Sequence, residues 1–85
     1  MLTGRYDRAL MLAAAHHRKQ TRKGTEIPYL SHLLAVSSLV LENGGSEDEA
    51  IAGLLHDAVE DAEDVETLDA LRDEIQREFG DAVLE

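Results

Sequence analysis

The sequence predicts an all-α fold, a bundle of about four to five helices. Apolar residues recur every three or four positions along most of the chain, which is the period of a helix that packs one face against a core. Residues that start and end helices separate these segments, and no stretch alternates for long enough to predict a sheet. The chain has 85 residues, which suits a single small domain over residues 1–85.

The first helix is predicted over about Thr3–Gln20, because apolar residues recur there at helical spacing with no interior Pro. His17 falls on the apolar stripe of this helix. A histidine in such a position is more often a core residue than a ligand, so we expect a structural role for His17.

A loop is predicted over residues 21–29. Pro28 cannot donate a backbone hydrogen bond and biases the residue before it away from the helical conformation. The loop carries Arg22 and Lys23, and loops between rigid helices commonly contact ligands.

The second helix is predicted over Leu30–Asn43, followed by Gly44 and Gly45 as helix-ending residues. Its residues are apolar on nearly every side, which is typical of a central helix. His32 lies in its first turn, a polar side chain among apolar neighbours.

The third helix begins with a predicted capping box of Ser46 and Glu49 and extends to about residues 59–61. An acidic linker over residues 60–66 precedes a fourth helix over Thr67–Phe79, which Gly80 ends. Residues 81–85 have the pattern of the first turn of a fifth helix, so we expect a truncated domain.

The charge balance excludes some classes of partner. The formal net charge is −10, from 18 acidic and 8 basic residues, which disfavours a nucleic acid polymer. Half of the basic residues lie within 18–23, which suits a small phosphorylated ligand. No apolar segment is long enough for a membrane span and no Cys is present, so we expect a cytoplasmic protein whose metal ligands are His, Asp or Glu.

The segment AGLLHDAVED, residues 52–61, concentrates four ionisable groups after an apolar helical turn. Helical geometry places Glu60 over His56 and Asp61 over Asp57. Since burying carboxylates is costly unless they are paired or bound to a cation, this arrangement predicts a metal site. Taken alone, His32 is better explained as a histidine that caps the helix or hydrogen-bonds locally, but with His56 and Asp57 it would supply a third ligand. Imidazole and carboxylate ligands suit Mn, Fe or Zn, and an open metal site suits hydrolysis of phosphoesters or phosphoanhydrides.

Five segments together resemble a known family: HRKQTRK at 17–23, PYLSH at 28–32, GLLHD at 53–57, ED at 60–61 and FG at 79–80. They are similar to the HD-domain phosphohydrolases, and most similar to the RelA/SpoT-type and small alarmone hydrolases. The resemblance covers nearly the whole chain. It implies an all-helical HD-domain-like fold and a manganese-dependent enzyme that removes pyrophosphate from the 3′ position of guanosine tetra- or pentaphosphate, leaving GDP or GTP.

The resemblance also implies roles for individual residues. The family's metal ligands are matched by His32, His56 and Asp57. The carboxylates beside its attacking water are matched by Glu60 and Asp61. Its nucleotide-binding basic loop is matched by Arg22 and Lys23. The family's fourth metal ligand, an Asp on a later helix, would lie beyond Glu85. We therefore expect the 85 residues alone to bind metal weakly and to have little activity.

Two alternatives stay open at this stage. The chain could be an HD phosphohydrolase that acts on another nucleotide or on a phosphomonoester. It could also be a non-catalytic helical module used for association. In either case, uncovered apolar faces on the second and fourth helices would favour homo-oligomers.

Overall fold

A computed structural model describes residues 2–61 and 64–84 of the chain. The predicted all-α fold is confirmed. The described residues form five helices: α1 (Gly4–His16), α2 (Tyr29–Glu42), α3 (Glu47–Glu60), α4 (Val65–Phe79) and α5 (Asp81–Leu84). Residues 62 and 63, which belong to the predicted acidic linker, lie outside the described ranges.

The ends of the helices follow local hydrogen bonding. The predicted capping box of α3 is confirmed, with the Ser46 hydroxyl accepting from the Glu49 amide at 3.1 Å and the Glu49 side chain accepting from the Ser46 amide at 3.1 Å. Helix α4 begins two residues before the predicted start, because the Asp64 side chain caps it by accepting from the Thr67 amide at 2.7 Å. It ends at Gly80, whose φ of 88° suits a glycine.

Helix α3, and not the predicted α2, is the centre of the fold. It packs against all four other described helices, and its buried residues are Ala50, Ile51, Leu54, Leu55 and Ala58. The expectation for α2 was wrong. This helix buries only Leu33 and Ser37, while Leu34 and Leu39 are 40% and 60% exposed. The apolar character of α2 therefore reflects one packed face and one exposed apolar face.

Polar side chains also join the helices to one another. Arg5 of α1 forms ion pairs with Glu47 at 3.2 Å and Asp48 at 2.7 Å, and also donates to the carbonyl of Phe79. The buried hydroxyl of Ser37 joins α2 to α3. None of the helices in the described ranges has both the length and the apolar character that crossing a bilayer requires.

Candidate metal centre

The three residues predicted as metal ligands line one cleft. His32 comes from the first turn of α2, and His56 and Asp57 come from the last turn of α3. The cleft has a volume of about 310 Å³. Its remaining walls are mostly apolar: Leu33, Val36, Ala52, Gly53, Val83 and Leu84. The α2–α3 packing thus brings together side chains that are far apart in sequence.

Asp57 is held by an aromatic hydroxyl. Tyr29, the first residue of α2, donates a hydrogen bond from its hydroxyl to Oδ2 of Asp57. The pKa of Tyr29 is raised to about 12, mainly by this hydrogen bond, with burial and the charge of Asp57 acting in the same direction. The charge of Asp61 also raises this pKa, whereas Arg22 lowers it. Tyr29 is therefore a protonated donor throughout the neutral range.

His56 is paired with Glu60. Its Nε2 lies 2.8 Å from Oε1 of Glu60, and the two side chains are 67% and 62% exposed. This contact is the one that helical spacing predicts between residues four apart. It places a carboxylate beside one of the proposed metal ligands.

The predicted catalytic carboxylates diverge from each other. Glu60 lines a second cleft of about 250 Å³ together with His56 and Arg72. Asp61, which follows the last residue of α3, instead lines a third cleft of about 390 Å³ with His16. Glu60 and Asp61 therefore line different clefts, and neither lines the cleft that His32, His56 and Asp57 share.

Arg22 and Lys23 are exposed in the loop between α1 and α2 and line none of these three clefts. The loop folds back on itself, since the Arg22 amide donates to the Ile27 carbonyl at 2.9 Å. Gly24 provides the turn with a φ of 76°. Arg22 is close enough to Tyr29 for its charge to affect the hydroxyl, so this end of the loop lies on the side of the cleft where Asp57 is held.

His17 is a buried residue, as its place on the apolar stripe predicts. It is 4% exposed, follows the last residue of α1, and has Nδ1 at 2.7 Å from Oε1 of Gln20. Its Nε2 has no hydrogen-bond partner among the described residues. The ring packs against Tyr29 with 5.1 Å between ring centroids. His17 therefore lies behind the residue that holds Asp57.

The donor set fits a divalent ion by its chemistry, because two imidazoles and a carboxylate are ligands that Mn, Fe and Zn accept. In residues 2–61 and 64–84, no three His, Asp or Glu side chains already converge in an arrangement that could enclose an ion. Two of the predicted ligands instead have other partners: His56 pairs with Glu60, and Asp57 accepts from Tyr29.

Comparison with known proteins gives the family. Residues 9–85 match the family described as HD domain. The chain belongs to the HD domain family. The resemblance inferred from the sequence motifs is thereby confirmed.

This HD domain is similar to much longer proteins. It is 43% identical over 77 residues to the GTP pyrophosphokinase of Streptomyces coelicolor, covering 91% of this chain and 8% of that protein. It is 39% identical over 85 residues to the guanosine-3′,5′-bis(diphosphate) 3′-pyrophosphohydrolase of Xenopus tropicalis, covering 91% of this chain and 44% of that protein. A protein of the latter name in Aquifex aeolicus is 38% identical over 77 residues, covering 91% of this chain and 10% of that protein. The chain thus spans less than half the length of these relatives.

Tyr29 and Gln20 belong to the surroundings of this site but were not predicted from the sequence. Tyr29 precedes His32 by three residues, and their ring centroids are 5.5 Å apart. Helical spacing of three could have indicated that contact. The hydrogen bond to Asp57 had no local signal, because it depends on how α2 packs against α3.

Proposed function

We propose that the protein is a metal-dependent hydrolase that removes the 3′ pyrophosphate from guanosine 3′,5′-bis(diphosphate) or the corresponding pentaphosphate. The observation that carries this proposal is the shared cleft, which His32 of α2 lines together with His56 and Asp57 of α3. The domain over residues 1–85, its cytoplasmic location and Mn²⁺ as the metal are parts of the same proposal.

His32, His56 and Asp57 are the residues proposed to hold the ion. When bound, the ion supplies polarisation of a phosphoryl oxygen and activation of water. The chain contributes mostly apolar residues to the rest of this cleft, including Leu33 and Val36.

Glu60 and Asp61 are the proposed catalytic carboxylates. Glu60 already contacts His56, so it lies where a carboxylate can orient a water beside the metal ligands and accept its proton. Asp61 lies four residues after Asp57, and its charge acts on Tyr29. We assign Asp61 to proton transfer and to the ordering of water.

Arg22 and Lys23 are proposed to contact the phosphates of the nucleotide. Both are exposed, and in the described part of the chain neither forms an ion pair. Since the chain as a whole carries a net charge of −10, a phosphorylated ligand would be attracted to the site mainly through this basic loop.

The name of the Xenopus relative favours hydrolysis as the activity of this HD domain. The Xenopus and Aquifex relatives are both named as 3′-pyrophosphohydrolases of guanosine 3′,5′-bis(diphosphate). The Streptomyces relative is named a GTP pyrophosphokinase. The chain covers 44% of the Xenopus protein but only 10% of the Aquifex protein and 8% of the Streptomyces protein, so the Xenopus name carries the most weight. Imidazole and carboxylate ligands around an open cleft agree with hydrolysis.

The test is release of pyrophosphate from guanosine 3′,5′-bis(diphosphate) by the full-length protein with Mn²⁺, beside a panel of other nucleotides and phosphomonoesters. We expect release to require the metal and to stop when a chelator is added. Preference for another member of the panel would support the alternative of a different HD phosphohydrolase. No hydrolysis of any substrate would support a non-catalytic module, which could associate through the exposed Leu34 and Leu39; mass in solution would detect this.

Glu60→Gln separates catalysis from metal binding. We expect kcat to fall by about 10²- to 10⁴-fold while bound Mn²⁺ stays nearly unchanged, because Glu60 is not among the proposed ligands. Glu42→Gln, at the exposed end of α2, is the matched control and should leave both quantities unchanged. If Glu60→Gln and Asp61→Asn both lost the metal along with activity, their assignment as catalytic residues would be wrong.

A further inference from the structure

We propose that Tyr29 is a positioning residue that holds the Asp57 carboxylate and the His32 ring in place for the metal ion. This inference rests on the metal site in the proposed function and adds to it a residue that does not itself bind the metal. The juxtaposition that carries it is the contact of one side chain with proposed ligands from both α2 and α3.

Tyr29 is placed at the junction of the two helices that carry the ligands. Its hydroxyl donates to Oδ2 of Asp57 across the α2–α3 interface. Its ring lies 5.5 Å from the ring of His32 on its own helix, with 57° between the two planes. The hydrogen bond therefore fixes the orientation of the Asp57 carboxylate relative to α2.

Tyr29 is itself held from behind. The ring of the buried His17 lies 5.1 Å from its own ring, and His17 is fixed by the contact of Nδ1 with Oε1 of Gln20 at 2.7 Å. The Tyr29 amide also donates to the carbonyl of Gln20 at 2.9 Å. Backbone and ring are therefore both anchored to the end of α1, which leaves the hydroxyl little freedom.

The chemistry of a phenol suits this task. A Lys or Arg at the same place would orient the carboxylate equally well, but its positive charge would neutralise Asp57 and repel the cation. A neutral hydroxyl fixes the carboxylate and leaves its negative charge available to the metal. Hydrogen bonds of this kind orient metal ligands, and their loss typically weakens metal affinity by about 10- to 100-fold.

Tyr29→Phe tests the inference because it keeps the ring contacts with His17 and His32 and removes only the hydroxyl. The experiment titrates the full-length protein with Mn²⁺ and follows free Mn²⁺ by electron paramagnetic resonance. We expect the Kd for Mn²⁺ to rise by about 10- to 100-fold. Tyr6→Phe is the matched control: it removes the hydroxyl that pairs with Ser37 at 2.7 Å and should leave the Kd unchanged.

A second measurement excludes a general loss of structure. At saturating Co²⁺, the visible absorption bands of the bound ion should change in Tyr29→Phe and stay as in the wild type in Tyr6→Phe, since the bands report the ligand arrangement and not stability. Circular dichroism should show that both variants are folded at the temperature of the titration.

The outcomes separate this inference from the proposed function. If the wild type binds Mn²⁺ and Tyr29→Phe binds it equally well with unchanged Co²⁺ bands, the role of Tyr29 is refuted and the metal site stands. If the wild type binds neither ion, the proposed metal site is wrong, and the role of Tyr29 is overturned with it. Weaker Mn²⁺ binding and altered bands in Tyr29→Phe alone would support the inference.

Discussion

Ser37 allows a quantitative test of how α1, α2 and α3 are joined. Its side chain is fully buried on α2. The hydroxyl donates to the carbonyl of Ala50 on α3 at 3.1 Å and lies 2.7 Å from the hydroxyl of Tyr6 on α1. One polar side chain therefore links α1, α2 and α3 within an apolar interface.

Replacing Ser37 with Ala removes both hydrogen bonds. Each is worth about 0.5–1.5 kcal/mol, and the better helix propensity of Ala returns about 0.5 kcal/mol. We therefore expect the free energy of unfolding to fall by about 0.5–2.5 kcal/mol. In a domain of this size each kcal/mol corresponds to about 4–8 °C in Tm. Tyr6→Phe removes only one of the two bonds and should cost about 0.5–1.5 kcal/mol.

The double variant provides the decisive comparison. Once Ser37 is Ala, the Tyr6 hydroxyl has lost its partner, so adding Tyr6→Phe should cost almost nothing more. Urea unfolding followed by far-UV circular dichroism should give a coupling energy of about 0.5–1.5 kcal/mol between the two sites. If the two single effects instead added to within about 0.3–0.5 kcal/mol, the hydrogen-bonded link between α1 and α2 would be refuted.

Two further predictions concern pH and glycine. The pKa of Glu47 is lowered from its ordinary value of 4.5, mainly by the backbone hydrogen bond from Thr3. The stability that Glu47 contributes is therefore complete above pH 4.5 and is lost as the pH falls through the lower pKa of the folded state. The Tm values of Glu47→Gln and the wild type should converge in acid, and a difference that stays constant with pH would contradict this. A Cβ atom added at Gly45 would lie 2.4 Å from Cγ1 and 2.8 Å from the carbonyl oxygen of Val40, whereas a Cβ atom added at Gly53 would have its nearest neighbour at 3.4 Å. Gly45→Ala should therefore lower Tm, and Gly53→Ala, inside α3, should stabilise the fold by up to about 1 kcal/mol. A higher Tm for Gly45→Ala than for Gly53→Ala would refute the packing described.

Several helix boundaries were predictable, because they depend on signals a few residues long. The end of α1 was not: it was predicted at about Gln20 and lies at His16. The Ser46–Glu49 capping box and the Gly80 end were identified from sequence and are confirmed. The start of α4 was missed because Asp64 was counted in the acidic linker, although Asp is a common N-cap residue.

The position of α2 could not be predicted from its composition. An apolar residue such as Leu39 gives the same signal whether it is buried or 60% exposed. Only the packing of the helices decides which face is covered. Ser37 illustrates the converse, since a fully buried serine contributes nothing to an apolar pattern. The exposure of Leu39 and the burial of Ser37 could not be predicted because hydropathy is a local property and burial is not.

The candidate site was predictable as a set of residues but not as a geometry. His56 and Glu60 are four residues apart on one helix, and their contact follows from spacing alone. The hydroxyl contact of Tyr29 with Asp57 and the divergence of Glu60 from Asp61 depend on neighbouring helices. A sequence can propose ligands for a metal, but the residues that orient those ligands become visible only in three dimensions.

The central claim is that the cleft between α2 and α3 is a metal centre, and bound Mn²⁺ per chain tests it most directly. The measurement is elemental analysis of the full-length wild type, of His56→Ala and of His16→Ala after equilibration with Mn²⁺. His16 is an exposed histidine that lines a different cleft, so it serves as the matched control. We predict that the wild type and His16→Ala retain the ion and that His56→Ala loses it. Retention of Mn²⁺ by His56→Ala at the level of the wild type would contradict the assignment.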